Sequence, residues 1–318
     1  GRFRPSRKPK PHMLAGPLVR ITIEIMRIKF VLVFIVLLIT SCSEDNEKPY
    51  IKYISFGQAQ KVDIIDYDDH IMEPFLSKNG MILFFNNLNH PSVNTNLHFA
   101  TKINDSVFQY NGELKGVNTE FLEGVPTMTN SNILYFISTR SYDQTLSTIY
   151  NCNFNDDSVS NIQLVSGISK NIDGWINFDI EVSKEGNSLY FADGLYDANG
   201  GPYESDLVFA EKINNTFQRT DNLILENINT EALEYGACIS SNMLELYFTR
   251  VELPLSDLSI PQIYVATRNT ITESFGIPYK IENISGFVEA PTISSDDQII
   301  YYHKKENEKY VLYLVRKE

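Results

Sequence analysis

The sequence predicts an all-β protein, a five-bladed β-propeller whose blades are four-stranded antiparallel sheets. A short aromatic strand phrase recurs five times, and the last residues of its copies are 51, 55, 57 and 54 residues apart. A polar turn stands directly before each copy. The final repeat lacks a fourth strand, which the N-terminal part of the chain can supply. A fixed period of this size, made of strands alone, is typical of a propeller.

Each repeat has the same order of strand signals. The aromatic phrases form the second strand of each blade: Ile82–Phe85, Ile133–Phe136, Ser188–Phe191, Glu245–Phe248 and Ile299–Tyr302. A first strand precedes each phrase, and the two are joined by a tight turn with a hydroxyl residue at a matching place: Ser77, Thr129, Ser183, Ser240 and Ser294. Such hydroxyls bond backbone amides in turns, and strands joined this tightly must be antiparallel. The aromatic residues are expected to pack between blades.

The two ends of the chain are expected to close the ring together. The last repeat, from Glu289, stops at Glu318 after its third strand. Residues 56–77 align with residues 275–294, which contain a fourth strand. A strand within 56–65 should therefore lie beside 310–315 and complete the fifth blade, because closure removes exposed sheet edges.

The phrase E-P-x-x-S-x-x-G, seen at Glu73 to Gly80 and followed by the first aromatic strand, resembles the WD40-like PD40 repeat of TolB-type propellers. An aspartate before a third strand, Asp206, fits the same repeat. The resemblance extends over residues 55–318. It implies a propeller fold and makes TolB-like periplasmic scaffolding one possible role, although TolB itself has six blades and an additional N-terminal domain.

The N-terminal region reads as a targeting segment. Residues 26–41 carry a short basic start and a ten-residue apolar run, too short to span a membrane, and are predicted to be a signal peptide. The ending at Cys42 resembles a bacterial lipobox, which implies cleavage and acylation of that cysteine. Residues 1–25 are expected to be non-native upstream sequence, residues 42–54 a lipidated tether, and residues 55–318 the propeller.

The predicted location follows from this anchor. The acidic stretch 43–47 is similar to the surface-export signal of some Gram-negative lipoproteins, and its alternative is a plain tether on a periplasm-facing protein. We therefore expect an outer-membrane lipoprotein at the cell surface, attached through its acyl chains. Residues 42–318 have a net charge of −20, which argues against nucleic acid as a partner. The two cysteines of the propeller, Cys152 and Cys238, should be buried two repeats apart, and a monomer is expected.

Few catalytic motifs occur in the sequence. There is no G-x-S-x-G elbow, no H-E-x-x-H helix and no P-loop. The histidines 70, 90, 98 and 303 are predicted to be isolated surface residues. The open enzymatic alternative is a glycosidase, which needs carboxylates at the channel mouth. The weak candidates lie near the starts of innermost strands: Glu73, Asp179, Glu181, Glu234 and Glu289. Trp175 is the only tryptophan, so aromatic sugar platforms are scarce.

Two long insertions are the predicted binding surface. The first, residues 193–206, contains Asp193, Tyr196, Asp197, Asn199 and Tyr203; the second, residues 251–261, contains Glu252 and Asp257. Both follow the second strand of neighbouring blades, so they should project from one face. Asp197 and Asn199 also offer oxygen ligands for calcium, although no EF-hand spacing is present. No other cofactor is expected.

The leading hypothesis is a non-enzymatic lipoprotein whose propeller presents these loops to a protein or a polysaccharide. The alternatives are a glycoside hydrolase that uses the channel-mouth acids and a TolB-like scaffold. An open pocket between facing carboxylates would favour the hydrolase, whereas a narrow or plugged channel would disfavour it.

Overall fold

A computed structural model describes residues 53–90, 92–256 and 258–318, which fold into five sheets around a central channel. Two short strands come first, β1 (Gln60–Lys61) and β2 (Asp63–Ile65). The first blade contains β3 (Met72–Leu76), β4 (Ile82–Asn86), β5 (Leu97–Asn104) and β6 (Val107–Glu113). The second contains β7 (Glu123–Met128), β8 (Ile133–Ser138), β9 (Ile149–Asn155) and β10 (Ser158–Leu164), with the short helix α1 (Tyr142–Thr145) between β8 and β9.

The other three blades repeat the pattern. The third contains β11 (Trp175–Val182), β12 (Ser188–Asp197), β13 (Gly200–Ile213) and β14 (Thr216–Arg219). The fourth contains β15 (Leu233–Ile239), β16 (Glu245–Val251), β17 (Gln262–Thr267) and β18 (Tyr279–Lys280), preceded by a 3₁₀ turn at Leu223–Leu225. The fifth contains β19 (Val288–Ile293), β20 (Ile299–Glu306) and β21 (Lys309–Arg316). We call the side where the innermost strands begin the upper face and the opposite side the lower face.

The predicted propeller is thus confirmed: five mainly antiparallel sheets, each ordered from the innermost strand outwards. The turn between the first two strands uses the predicted hydroxyl in every blade. The hydroxyl oxygens of Ser77, Thr129, Ser183, Ser240 and Ser294 accept the backbone N–H of the residue that begins the second strand, at 2.9–3.1 Å. This local bond fixes each hairpin turn at the lower face.

The core lies between neighbouring blades rather than within one blade. Leu83, Phe84 and Phe85 of β4 are completely buried, because both faces of the second strand pack on other sheets. The same holds for Tyr190 and Phe191 of β12. Each large apolar side chain buried this way contributes roughly 1.5–3 kcal/mol, so the aromatic phrases are core residues, as predicted.

The predicted ring closure is confirmed. β1 completes the fifth blade, with Gln60 opposite Leu314 and Lys61 opposite Tyr313. The chain then leaves the fifth blade, and β2 pairs in parallel with β6 of the first blade. The chain must cross here towards β3, and Ile64 is buried between the fifth and first blades. The first sheet therefore has a fifth, parallel strand.

Cys152 and Cys238 are buried free thiols in the second and fourth blades, as expected. Within the described residues, no helix has the length and apolar character needed to cross a membrane. Residues 1–52, including Cys42 and the proposed signal peptide, lie outside the described residues, so the lipidation and domain boundaries there remain predictions.

Closure of the ring should depend on Phe56. Its side chain is 5% exposed and packs edge-on against Tyr247, and its backbone bridges Lys317. Phe56→Ala is expected to lower the free energy of unfolding by about 3–5 kcal/mol, because it leaves a cavity at the seam. Urea denaturation measures this loss. Ile271→Ala, at a side chain 59% exposed, is the control and should change stability by less than about 0.5 kcal/mol.

Candidate functional site

Every innermost strand has a two-residue bulge that faces the channel. In each blade two residues of the innermost strand lie opposite one residue of the second strand, so the register shifts by one residue. The first bulge residue has a positive φ, between 48° and 62°, in every blade: Glu73, Val125, Asp179, Gly236 and Ala290. Only Gly236 adopts this region without steric cost, and strain of this kind is about 1–3 kcal/mol per residue. Glu73 and Asp179 therefore occupy equivalent positions in alternate blades, a regularity that the linear offsets of the acids did not reveal.

The bulges bond to the preceding blade. Asn86 Oδ1, Thr249 Oγ1 and His303 Nδ1 each accept the N–H of the bulge residue in the next blade, at 3.0–3.1 Å. These three acceptors occupy the same place, directly after the aromatic phrase. In the third blade this place is Ala192, which has no side-chain acceptor, and the Asp179 carboxylate accepts the Gly236 N–H instead.

A third carboxylate, Glu289, joins Glu73 and Asp179 at the upper mouth of the channel. Its Oε1 accepts the Tyr235 hydroxyl at 2.5 Å and its Oε2 faces His303 Nε2 at 3.1 Å. Because His303 Nδ1 already accepts the N–H of Glu73, Nε2 must carry the ring proton and donate it to Glu289. Glu289 is thus held by two neutral donors.

The channel-mouth carboxyls have perturbed acidity. Burial raises the pKa of Asp179 to about 7, and the Glu289 charge adds to this effect. Burial, followed by the charges of Asp179 and Glu289, raises the pKa of Glu73 well above its ordinary value. Burial and the Glu289 charge also raise the pKa of the Tyr235 hydroxyl. The mouth therefore holds carboxyls that retain protons near neutral pH.

The space between these carboxyls is small. The cavity they line has a volume of about 30 Å³, room for little more than a water molecule. Below it, Lys78 of the first blade bonds Glu181 of the third blade at 2.6 Å, and Thr127 of the second donates to the same carboxylate at 2.6 Å. Because the first and third blades are not adjacent, this ion pair crosses the channel and plugs it. Glu181 is therefore engaged in a structural pair.

Other acids near the upper face are likewise paired with arginine. Glu123 binds Arg140 at 2.9 Å and Glu234 binds Arg250 at 2.8 Å, and each carboxylate also accepts from a threonine four residues earlier. Each arginine in turn donates to a backbone carbonyl of the preceding loop. Asp193 pairs with Arg219, which also donates to the carbonyl of Ile168. Of the predicted candidates, Asp193 and Glu234 thus hold connecting loops in place.

The predicted loop 193–206 is an extended hairpin. β12 and β13 pair continuously apart from one irregularity, and only two residues form its tip. Tyr196 packs against Phe178 beside the channel mouth. The Asp197 carboxylate accepts the Asn199 N–H at 2.7 Å and the Tyr203 hydroxyl at 2.9 Å. The described residues contain no group of three or more acidic, histidine or cysteine side chains arranged for a metal.

The hairpin and the next insertion lie on the same face. Both connect second to third strands, and Tyr203 lines one groove together with Glu252 and Leu255. This groove has a volume of about 1060 Å³, and a second groove of about 570 Å³ lies on the other side of the insertion. Asp257 lies outside the described residues. The two predicted binding segments are therefore brought together.

The prediction of surface histidines is wrong at two positions. His303 is fully buried behind Glu289, and His98 is 6% exposed, stacked on Phe85. His303 directly follows an aromatic phrase, and His98 lies opposite one on the neighbouring strand. Side chains at such positions point towards one of the two neighbouring blades and are therefore buried. His303 could have been recognised from its alignment with Asn86 and Thr249, but only if the inter-blade bond had been known.

No family model matches the chain, and no curated protein matches it. Solved structures do. An α-L-arabinofuranosidase from Podospora anserina, in complex with cellotriose, matches with a TM-score of 0.53 and 12% identity over 85% of this chain and 98% of that one. A family 117 glycoside hydrolase from Zobellia galactanivorans matches with a TM-score of 0.51 and 10% identity over 83% and 90%.

TolB from Acinetobacter baumannii also matches, with a TM-score of 0.45 and 14% identity over 79% of this chain. The chain spans 55% of the length of that protein. The two glycoside hydrolases share the fold of this chain. At identities this low, the matches carry no information about activity.

The raised pKa of Asp179 should make stability depend on pH. Folding raises the pKa of this carboxyl from about 4 to about 7, so the protonated side chain stabilises the folded state. The full contribution is present below about pH 4 and is lost as the pH rises through about 7. Asp179→Asn should therefore be more stable than wild type at pH 8, by on the order of 2–4 kcal/mol, and similar to it at pH 4. Asparagine also tolerates the positive φ.

Urea unfolding at both pH values measures this difference. The control is Asp193→Asn, which breaks a buried ion pair and should lower stability at pH 8 by roughly 3–5 kcal/mol. A destabilised Asp179→Asn protein at pH 8 would contradict the expected protonation.

Proposed function

We propose that this protein is a non-enzymatic binding protein, and that the upper-face groove beside the insertion 251–261 takes a protein ligand. The observation that carries the proposal is the contrast between two cavities of the same face. The groove of about 1060 Å³ has the size of ligand sites, whereas the space among the channel-mouth carboxyls, about 30 Å³, is far smaller than such sites.

The surface of the insertion is aliphatic. Leu253, Leu255, Leu258 and Ile260 are 41–86% exposed within eight residues. Exposed apolar patches on soluble domains are typical of interaction sites. We call these four side chains the aliphatic ridge; they suit the apolar side chains of a protein partner. A polysaccharide would favour flat aromatic platforms, yet the face of Trp175 is covered by Lys170 Nζ at 3.0 Å.

The groove also has an electrostatic preference. Glu231 and Glu252 line it, and Arg250 is already neutralised by Glu234. The propeller as a whole is strongly acidic. A partner with an apolar segment and basic flanking residues would therefore be complementary. Polysaccharide binding is the outcome that would replace this ligand class.

The described part of the chain begins near the lower face, where the Phe56 backbone bridges Lys317 at the end of β21. We also propose that the protein is acylated, that it is exposed at the surface of the outer membrane, and that it is a monomer. Calcium at Asp197 and Asn199 remains a proposal as well.

The groove is tested by loss of partner binding. Leu255→Asp with Leu258→Asp places charges on the aliphatic ridge without touching buried side chains. A protein partner, isolated from envelope extract by the wild-type protein and then purified, should bind this double variant at least about 30-fold more weakly in calorimetry, since central interface residues contribute 2 kcal/mol or more.

Ile103→Asp, at a side chain 57% exposed in the first blade, is the matched control and should bind like wild type. Equal binding of the protein partner by the ridge variant, or retention of a polysaccharide that the ridge variant loses, would contradict the proposed ligand.

A glycoside hydrolase is the second candidate, favoured by two channel-mouth carboxyls, Glu73 and Asp179, whose pKa values are raised by burial. An aryl-glycoside panel that includes an aryl α-L-arabinofuranoside is the assay for this candidate. If this activity exists, Asp179→Asn should reduce turnover at least about 100-fold. The leading proposal expects no wild-type turnover above buffer across an aryl-glycoside panel, so turnover that the Asp179→Asn variant loses would overturn it.

A further inference from the structure

A polar cleft of about 400 Å³ lies between the second and third blades, near the lower face and remote from the upper-face groove. Its walls are rich in side-chain amides and hydroxyls. The amides come from Asn151, Asn153, Asn161, Gln163 and Asn215. Tyr135 lies at its base and packs edge-on against Phe217, where the apolar core between the blades ends.

The sheet of the second blade arranges these amides in rows. Tyr135 lies opposite Asn151, and Asn151 lies opposite Gln163, so the three side chains form one row across three strands. Ile133 and Asn153 begin the next row on the same face. β14, the outer strand of the third blade, has only four residues, and the outer part of this face remains uncovered.

Asn151 departs from the repeat. Register places it at the position of Phe99, Phe209, Val265 and Leu314 in the other blades. Those four residues are at most 7% exposed and pack between blades. An amide at this one position gives up apolar burial that every other blade uses. A polar replacement in a core position is best explained by a ligand that it contacts.

Tyr135 departs from the repeat as well. The equivalent hydroxyls of Tyr190, Tyr247 and Tyr301 each have a protein partner: Arg268, Glu245 and the carbonyl of Asp105. The Tyr135 side chain is 3% exposed, and the described residues supply no hydrogen-bond partner for its hydroxyl. Because Tyr135 lines the cleft, this hydroxyl is available to a molecule bound there.

The chemistry of the walls defines the ligand. Each amide both donates and accepts, and the tyrosine hydroxyl does the same, which matches vicinal hydroxyls. Charge is balanced, with one basic residue, Lys212, and one acidic residue, Glu185, in the lining. The volume lies within the range of small-ligand pockets. We propose that this cleft is a binding site for a neutral mono- or disaccharide unit, held by Tyr135, Asn151, Asn153 and Gln163.

The test uses ¹⁵N-labelled protein and a panel of neutral disaccharides: cellobiose, maltose, lactose and xylobiose. At least one should shift the side-chain amide signals of Asn151 and Asn153 saturably. Asn151→Leu restores the apolar residue type of the other blades. It should abolish the shifts at the remaining amides while the protein stays folded, with a thermal midpoint equal to or above that of wild type.

Tyr135→Phe removes only the hydroxyl and should weaken binding roughly three- to tenfold, the effect of one hydrogen bond. The Leu255→Asp, Leu258→Asp protein should bind the sugar as wild type does, which separates this site from the upper-face groove. The inference is overturned if no sugar shifts the amides at 20 mM, if Asn151→Leu binds equally well, or if a Gly-Ser tetrapeptide binds in place of the sugars.

Discussion

The hydrogen bonds between innermost strands and preceding blades set the geometry of everything else in this propeller. The bulge residues have left-handed backbone conformations, and in four of the five blades a side chain of the preceding blade accepts the N–H at the bulge. The steric cost is highest at Val125, since β-branched residues rarely adopt positive φ. That cost is tolerated because a buried N–H without a partner would be comparably unfavourable, and because hydrophobic packing on both sides holds the strand in place.

These bonds also explain why the carboxyls gather at the channel mouth. Ala192 cannot accept, so Asp179 turns to the Gly236 N–H and is buried without a cation. Glu289 is bound by the neutral donors Tyr235 and His303. Four other acids have positive partners: arginines for Glu123, Asp193 and Glu234, and Lys78 for Glu181. These four hold loops and blades together, whereas burial raises the pKa values of Asp179 and Glu73 at the channel mouth.

Much of the fold could be predicted from the sequence because the repeat is written in local signals. The hydroxyl turns and aromatic strands are stabilised by residues only a few positions away, so the local sequence is enough to predict them. The crossing of β2 to the first blade could not be predicted, since it depends on packing of Ile64 between sheets distant in the chain. The sequence predicts a loop at residues 193–206 because glycines are typical of turns, yet β13 begins at Gly200 itself.

The candidate sites were harder to predict than the fold, and the reason is register. The equivalence of Glu73 and Asp179 becomes visible only when the positions of the bulges are known. Glu123 and Glu234, by contrast, end the same sequence phrase, N-T-E-x-L-E, and each pairs with an arginine. Asn151 is unremarkable in the sequence, within a strand of alternating polar residues. It becomes informative when four structurally equivalent positions are apolar.

In a repeat fold, equivalent positions of the blades can be compared with one another. Where the equivalent residues of the other blades all pack in the same way, a residue that packs differently indicates an additional constraint at its position. Asn151 differs in residue type, and Tyr135 differs in that its hydroxyl has no partner among the described residues; the two lie in one row at the open edge of one interface. Unrelated substitutions would be expected in different blades, and the Tyr135 hydroxyl would be expected to have a protein partner, as the equivalent hydroxyls do. Their coincidence around a cleft of ligand size is therefore the strongest departure from fivefold similarity outside the channel.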